Sequence, residues 1–275
     1  MPELPEVETI RRDLAAEVPG RRIEHLKVLK PDILLGPRTV SAFKRRLEGY
    51  RIDDVDRRAK HLLFRLETGD LMQVQLRMTG RFALGREAPD PEEFRHIAAE
   101  LRLDDGRTLY YDDVRRLGGL RILGEADWAR LEQQLGPEPL EPDFTGACLG
   151  RILADRRAPV KNVLMDQRRI AGVGNIYASE ALYEARVDPR RPAGSLSAPE
   201  IRRLHRAIRR ILNVALDRAG TTFRNYRAVN GRSGSFQTLL RVYGREGEPC
   251  RCCSIPIVRV VQAGRSTFCC PGCQG

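Results

Sequence analysis

The chain has 275 residues, 41% hydrophobic and 31% charged, with a formal net charge of +11 and a sequence pI near 9.7. That length allows two or three small units and a substantial buried core, and no stretch approaches the ~20 consecutive apolar residues of a membrane span. The opening MPELPEVETI lacks the basic start and apolar run of a secretory signal, so a cytoplasmic or nucleoid location is expected. The positive charge suits a polyanionic partner, although charge alone does not separate a nucleic-acid binder from an inert, arginine-rich surface.

Residues 6–18 read as a helix. Val7, Ile10, Leu14 and Val18 share one face, Pro5 suits the start, and Glu6 and Glu8 complement the positive end of the dipole. From about residue 21 to 125 the pattern is strand-like: runs at 61–66, 71–76 and 108–111 are separated by Thr68-Gly69-Asp70 and Asp104-Asp105-Gly106 turns. An antiparallel sandwich or barrel follows. Leu135-Gly136-Pro137-Glu138-Pro139 marks a boundary, beyond which helices are predicted over 159–169, 175–186 and 199–218. Residues 219–237, rich in Gly, Arg, Ser and Asn, read as a long loop, a length often tied to function. The fold class is therefore α+β and multidomain: a β-sandwich with flanking helices over 1–134, a helical domain over 135–240 and a cysteine-rich hairpin over 241–275.

Six of the seven cysteines fall in the last 26 residues, which without a secretory signal argues for metal rather than disulfides. Cys250 and Cys253, sixteen intervening residues, then Cys270 and Cys273 give two C-x2-C knuckles. Four thiolates suit one tetrahedral zinc ion, and four protein ligands make it structural. Cys252 and Cys269 are spare, and Cys148 is expected to be a small buried hydrophobe. Ile257, Val258, Val260 and Val261 suit a β-hairpin, with Gly264-Arg265-Ser266-Thr267 at its tip or return strand. From there Arg265 either reaches a phosphate or remains a solvated arginine.

Five of the 48 basic residues are lysine (Lys27, Lys30, Lys44, Lys60 and Lys161), the rest arginine. A lysine kept against that preference offers an amine that can change protonation state. Removal of Met1 would expose a second amine, that of Pro2. With a reference pKa near ~8, an α-amino group is partly neutral and nucleophilic at physiological pH. A secondary amine attacking C1′ of a deoxyribose displaces the base and leaves an iminium, whose acidified C2′ proton permits strand cleavage by elimination. Glu3 could protonate the sugar ring oxygen or shuttle the proton, and Glu6 could orient the amine or bind the N-terminal amides. Pro-Glu-Leu-Pro-Glu also reads as an ordinary helix entry with an acidic first turn.

Pro2-Glu3-Leu4-Pro5-Glu6-Val7-Glu8-Thr9 resembles the start of the bacterial formamidopyrimidine-DNA glycosylases. The resemblance continues through Arg57-Arg58-Ala59-Lys60-His61-Leu62-Leu63, then Asp166-Gln167 with Gly172-Val173-Gly174-Asn175-Ile176-Tyr177-Ala178, and then Val242 to Cys250 and the zinc unit. It implies a β-sandwich catalytic domain, a helix–two-turn–helix DNA-binding domain and a zinc hairpin. The implied activity is excision of oxidised purines, chiefly 8-oxoguanine and formamidopyrimidines, followed by β- and δ-elimination on double-stranded DNA by a monomer. By the same resemblance Pro2 is the Schiff-base nucleophile, Glu3 the proton donor, Lys60 the proton donor in β-elimination and Arg265 the δ-elimination and phosphate-binding residue. Lys161 and Asn175 become phosphate contacts, and His96, Arg115 and Arg156 fall at other DNA-contacting positions. Met78 and Arg115 fit the wedge that fills the gap left by an extruded nucleotide. Leu117 stands where phenylalanine is usual, Val114 where proline is usual and Arg77 where glycine is usual, which puts opposite-base probing in doubt. Loop 219–237 matches the lesion-covering loop, with Thr221, Thr222, Arg224 and Tyr226 as candidate contacts. Two rivals remain: an endonuclease VIII-like enzyme for oxidised pyrimidines, whose start is usually P-E-G-P-E, and a non-catalytic zinc-ribbon DNA-binding protein.

Overall fold

The computed structural model describes residues 2–221, 229 and 234–275, so Thr222, Arg224 and Tyr226 lie outside the described residues. The chain divides into two compact units, Met1–Gln133 with Ala219–Gly234, and Gln134–Arg218 with Ser235–Gly275.

In the first unit, helix α1 (Leu4–Ala15) begins two residues earlier than its periodicity indicates, because Glu3 caps it and Pro5 occupies its first turn. Its apolar stripe, Val7, Ile10 and Leu14, is fully buried. The strands that follow are β1 (Ile23–Val28), β2 (Leu34–Gly36), β3 (Ile52–Arg58), β4 (His61–Leu66), β5 (Leu71–Gln75), β6 (Gly80–Gly85), β7 (Ile97–Leu103), β8 (Thr108–Asp113) and β9 (Gly119–Leu123). They form a four-stranded sheet, β1-β7-β8-β6, and a five-stranded sheet, β2-β9-β5-β4-β3. One core contains Leu26, Leu101 and Tyr111 from the first sheet and Val55, Phe64 and Val74 from the second, so the sheets form the expected sandwich. Its strands are antiparallel except for β2, which pairs in parallel with β9. Two short helices flank or interrupt the strands: α2 (Val40–Arg45) lies between β2 and β3, and α3 (Glu125–Glu132) follows β9. Neither is long enough to establish a helical period in the sequence.

The second unit contains α4 (Gly146–Leu153), α5 (Val160–Met165), α6 (Asn175–Glu184), α7 (Ala198–Asp217) and the hairpin β10 (Val258–Gln262)–β11 (Arg265–Cys269). A Ser197–Glu200 capping box starts α7, and its buried face of Leu204, Ile208, Leu212 and Ala215 follows the predicted spacing. The span read as loop 219–237 ends earlier than expected, since Phe236–Leu239 forms a 3-10 turn that buries Phe236.

Glu180 ties α6 to the segment leading into the hairpin. Its buried carboxylate accepts backbone N–H groups of Arg241 (2.8 Å), Val242 (3.0 Å) and Tyr243 (2.8 Å). Burial pushes this carboxyl above its ordinary range while the three N–H donors pull it back. In Glu180→Gln an amide nitrogen would face an N–H donor in a dry site. The substitution is expected to lower stability by about 2–3 kcal/mol. An unchanged urea or thermal unfolding midpoint would contradict that account of the linker.

Candidate functional site

The N-terminal candidates lie together. Pro2, Glu3 and Glu6 are all buried. Glu3 and Glu6 form a reciprocal capping box at the head of α1, in which the Glu3 N–H donates to Glu6 Oε2 at 2.8 Å. The other Glu6 oxygen accepts the backbone N–H of Thr221 at 2.7 Å, so one carboxylate joins the first helical turn to the start of the long loop. Gly220 makes this approach possible. Its φ is +81°, and a Cβ there would lie 2.7 Å from Glu6 Oε1.

One turn further along α1, Glu8 accepts Arg11 Nε–H and the Nε–H of Arg57 on β3, each at 3.1 Å. Burial alone would raise the Glu8 carboxyl, but Arg11 and Arg57 outweigh it and hold it below its ordinary range. Arg57 also donates to the Ala59 carbonyl at 2.9 Å, fixing the β3–β4 turn on which Lys60 sits half-buried. Ala59 takes φ +54° there, the left-handed conformation that glycine adopts most readily. Beside Lys60, His61 shares a 3.1 Å hydrogen bond with Gln73 and packs edge-on against Trp128. Burial, then the charges of Arg77, Arg121, Arg58 and Lys60, pull the His61 pKa down to about 4, so the ring is neutral amid four cations.

The wedge candidates share a rigid platform. Met78, Val114 and Leu117 are 42%, 43% and 51% exposed, three of the six large hydrophobic side chains left exposed among the described residues. Their two loops are stapled by Asp113, which accepts the Thr79 hydroxyl and, at 2.8 Å, the Gly118 N–H. The Arg115 N–H in turn donates to Thr79 Oγ1 at 3.0 Å. Apolar side chains held in water by a buried carboxylate are suited to entering a base stack. Among the described residues the Arg115 side chain has no ion pair, whereas neighbouring Arg116 pairs with Asp32 at 3.4 Å. His96 is exposed, its N–H held by Asp112 Oδ1 at 2.7 Å.

In the second unit Lys161, expected at a phosphate, is 1% exposed. Its ammonium donates to Asn175 Oδ1 (2.6 Å), Thr267 Oγ1 (2.7 Å) and the Ser266 carbonyl (3.2 Å). Asn175 Nδ2 donates to the same carbonyl at 2.9 Å. The lysine therefore positions Asn175, at the N-terminus of α6, against the hairpin rather than presenting its charge to solvent. Arg265 is exposed on the first residue of β11, opposite Gln262, just past the Ala263-Gly264 tip. Arg156 is exposed as well.

Cys250, Cys253, Cys270 and Cys273 bring their Sγ atoms within 4.8 Å of one another. The Cys250–Cys273 and Cys253–Cys270 separations are 3.9 and 3.3 Å. Tetrahedral zinc with ~2.3 Å Zn–S bonds sets ligand sulfurs ~3.8 Å apart, so this donor set fits a structural zinc. The Tyr183 hydroxyl lies 3.2 Å from Cys250 Sγ, an outer-shell partner that spacing in the sequence does not reveal. Cys252 is exposed and Cys269 buried, both outside the cluster, and Cys148 is half-buried rather than fully buried.

Residues 1–120 match the model of the formamidopyrimidine-DNA glycosylase N-terminal domain, and residues 135–227 that of the formamidopyrimidine-DNA glycosylase H2TH domain. The chain is 46% identical to the formamidopyrimidine-DNA glycosylase of Symbiobacterium thermophilum, over 100% of this chain and 89% of that protein. The crystal structure of the MutM (Fpg) protein from Thermus thermophilus superposes with a TM-score of 0.88 at 45% identity, covering 100% of this chain and 99% of that one. A complex of the Lactococcus lactis Fpg with abasic-site DNA gives a TM-score of 0.91 at 33% identity, covering 99% of each chain. Full-length matches at this identity, together with the buried Pro2-Glu3 turn and the four-cysteine hairpin, show that the chain belongs to the formamidopyrimidine-DNA glycosylase family.

Proposed function

We propose that this chain excises oxidised purines from double-stranded DNA and cleaves the resulting abasic site, with Pro2 as the nucleophile. The observation that carries the reading is the N-terminal turn, where Pro2 is buried beside two carboxylates, one of them wired to the base of the loop. Once Met1 is removed, the Pro2 nitrogen attacks C1′ and the C1′–N bond to the base breaks. Glu3 supplies the proton that opens the sugar ring, leaving an iminium between Pro2 and C1′. Loss of the C2′ proton expels the 3′ phosphate, with Lys60 as its proton donor, and Arg265 serves the second elimination and holds a phosphate. Glu6 orients the amine. Met78, Arg115 and Leu117 fill the vacated stack, His96, Arg156 and Asn175 contact the backbone, and Lys161 holds Asn175 in place. The zinc ion fixes the hairpin that carries Arg265 and takes no part in bond breaking. The enzyme works as a monomer on chromosomal DNA in the cytoplasm, and no helix among the described residues is long and apolar enough to cross a membrane.

Borohydride should trap a covalent complex between the protein and an 8-oxoguanine duplex, and an N-terminal extension that displaces the Pro2 amine should abolish trapping and cleavage. Retention of both in the extended protein would rule out Pro2 as nucleophile. Faster release of thymine glycol than of 8-oxoguanine would move the substrate to oxidised pyrimidines.

In Gly220→Ala the new methyl group collides with Glu6 and the backbone is strained. Single-turnover excision is expected to slow by about 10- to 100-fold, as displacing a positioned group typically does. A rate equal to that of the parent protein would remove Glu6 from the mechanism.

Chelation should release one zinc per chain and abolish duplex binding while the circular dichroism of the sandwich persists. Undiminished binding after stoichiometric release would detach Arg265 from DNA recognition.

A further inference from the structure

Arg77 occupies the turn between β5 and β6, immediately before Met78. Its φ is +51°, the left-handed region that side chains other than glycine avoid. The turn around it leaves little freedom to relax. The Gly80 N–H donates to the Leu76 carbonyl at 2.9 Å, and a Cβ on Gly80 would lie 2.6 Å from that same oxygen. Thr79 is pinned by Asp113. An arginine is thus held in a backbone conformation made for glycine, and its side chain is exposed, with no ion pair or hydrogen bond among the described residues. Many surface arginines of this chain are tied down, as Arg46 is to Asp70 and Arg107 to Glu17 and Asp105. The guanidinium is thus available to a partner outside the chain.

The surroundings define that partner. Arg77 acts on His61 together with Arg58, Lys60 and Arg121, which puts it in the cationic cluster that includes the proposed elimination lysine. It also adjoins the exposed Met78. A guanidinium so placed meets a phosphate before it meets a base edge.

We propose that Arg77 is a phosphate-gripping arm of the wedge, binding the DNA backbone beside the nucleotide that Met78 displaces. This inference rests on the glycosylase reading and adds a residue to its DNA contacts. An arm on the rigid Met78 turn couples insertion of the wedge to capture of the backbone, which compensates for an aliphatic residue at position 117.

The test is a salt titration of binding to a duplex containing a tetrahydrofuran abasic analogue, using the zinc-loaded full chain, Arg77→Gly and Arg77→Lys. Arg77→Gly should weaken binding about 10-fold near 0.1 M salt and flatten the slope of log K against log salt by about 0.9, the signature of one lost phosphate contact. Arg77→Lys should keep the slope. The Tm of DNA-free Arg77→Gly should equal or exceed that of the parent protein, because glycine relieves the turn. An unchanged slope in Arg77→Gly, a loss confined to one opposite base, or a lowered Tm accompanying the lost affinity would each overturn the proposal. If the parent protein itself fails to prefer the abasic duplex over undamaged DNA, the glycosylase reading falls instead.

Discussion

A buried ammonium organises the second unit of this protein. Taken out of water, a lysine must recover its hydration from fixed acceptors, and Lys161 finds them on two elements besides its own. Its own helix α5, the first residue of α6 and strand β11 of the hairpin therefore cannot move independently without leaving a charge unsolvated. These acceptors are a side-chain amide, a hydroxyl and a carbonyl. Asn175 sits at the positive N-terminal end of α6. Glu180, further along the same helix, secures the chain that runs into the hairpin. Zinc, lysine and glutamate thus fix the hairpin at its knuckles, its return strand and its entry.

The surface of the first unit follows a related logic, in which carboxylates decide which arginines stay available. Glu8 engages Arg57, Asp112 engages Arg81 and Asp70 engages Arg46, each by a hydrogen-bonded ion pair. The Arg46–Asp70 pair is partly exposed and individually weak, whereas Arg81–Asp112 is buried in the sandwich. Other arginines keep no ion pair among the described residues. Arg77 and Arg115 flank the exposed apolar tips of Met78, Val114 and Leu117 on loops stapled by one buried aspartate. Net charge describes the average surface, whereas the pattern of pairing identifies where a polyanion would bind.

Local patterns exposed the parts of the molecule with local physics. Two C-x2-C knuckles need nothing beyond their own spacing to define a metal cage, and the buried stripe of α7 follows directly from its periodicity. Short helices such as α2 and α4 gave no period to detect. The contacts that make the site rigid were hidden for a different reason, because they join residues remote in the chain. Thr79 meets Asp113 across 34 positions, Arg57 meets Glu8 across 49 and Thr221 meets Glu6 across 215. Lys161 is the instructive case. Its scarcity among basic residues marked it as special, yet a sequence cannot tell a lysine exposed at the surface from one buried against Asn175 and the hairpin.

The missing side chain at Gly220 has a consequence for how sequences of this kind can vary. With glycine at 220, the loop backbone lies against the Glu6 carboxylate, and a single methyl group there would occupy space that an oxygen already fills. Any larger residue at 220 thus requires the glutamate at 6 to shorten or turn away, and a shortened residue 6 leaves the Thr221 N–H without its acceptor. Neither position can drift while the other stays fixed. Although they lie 214 positions apart in the chain, residues 6 and 220 are sterically one unit, so a change at one constrains the side chain the other can carry.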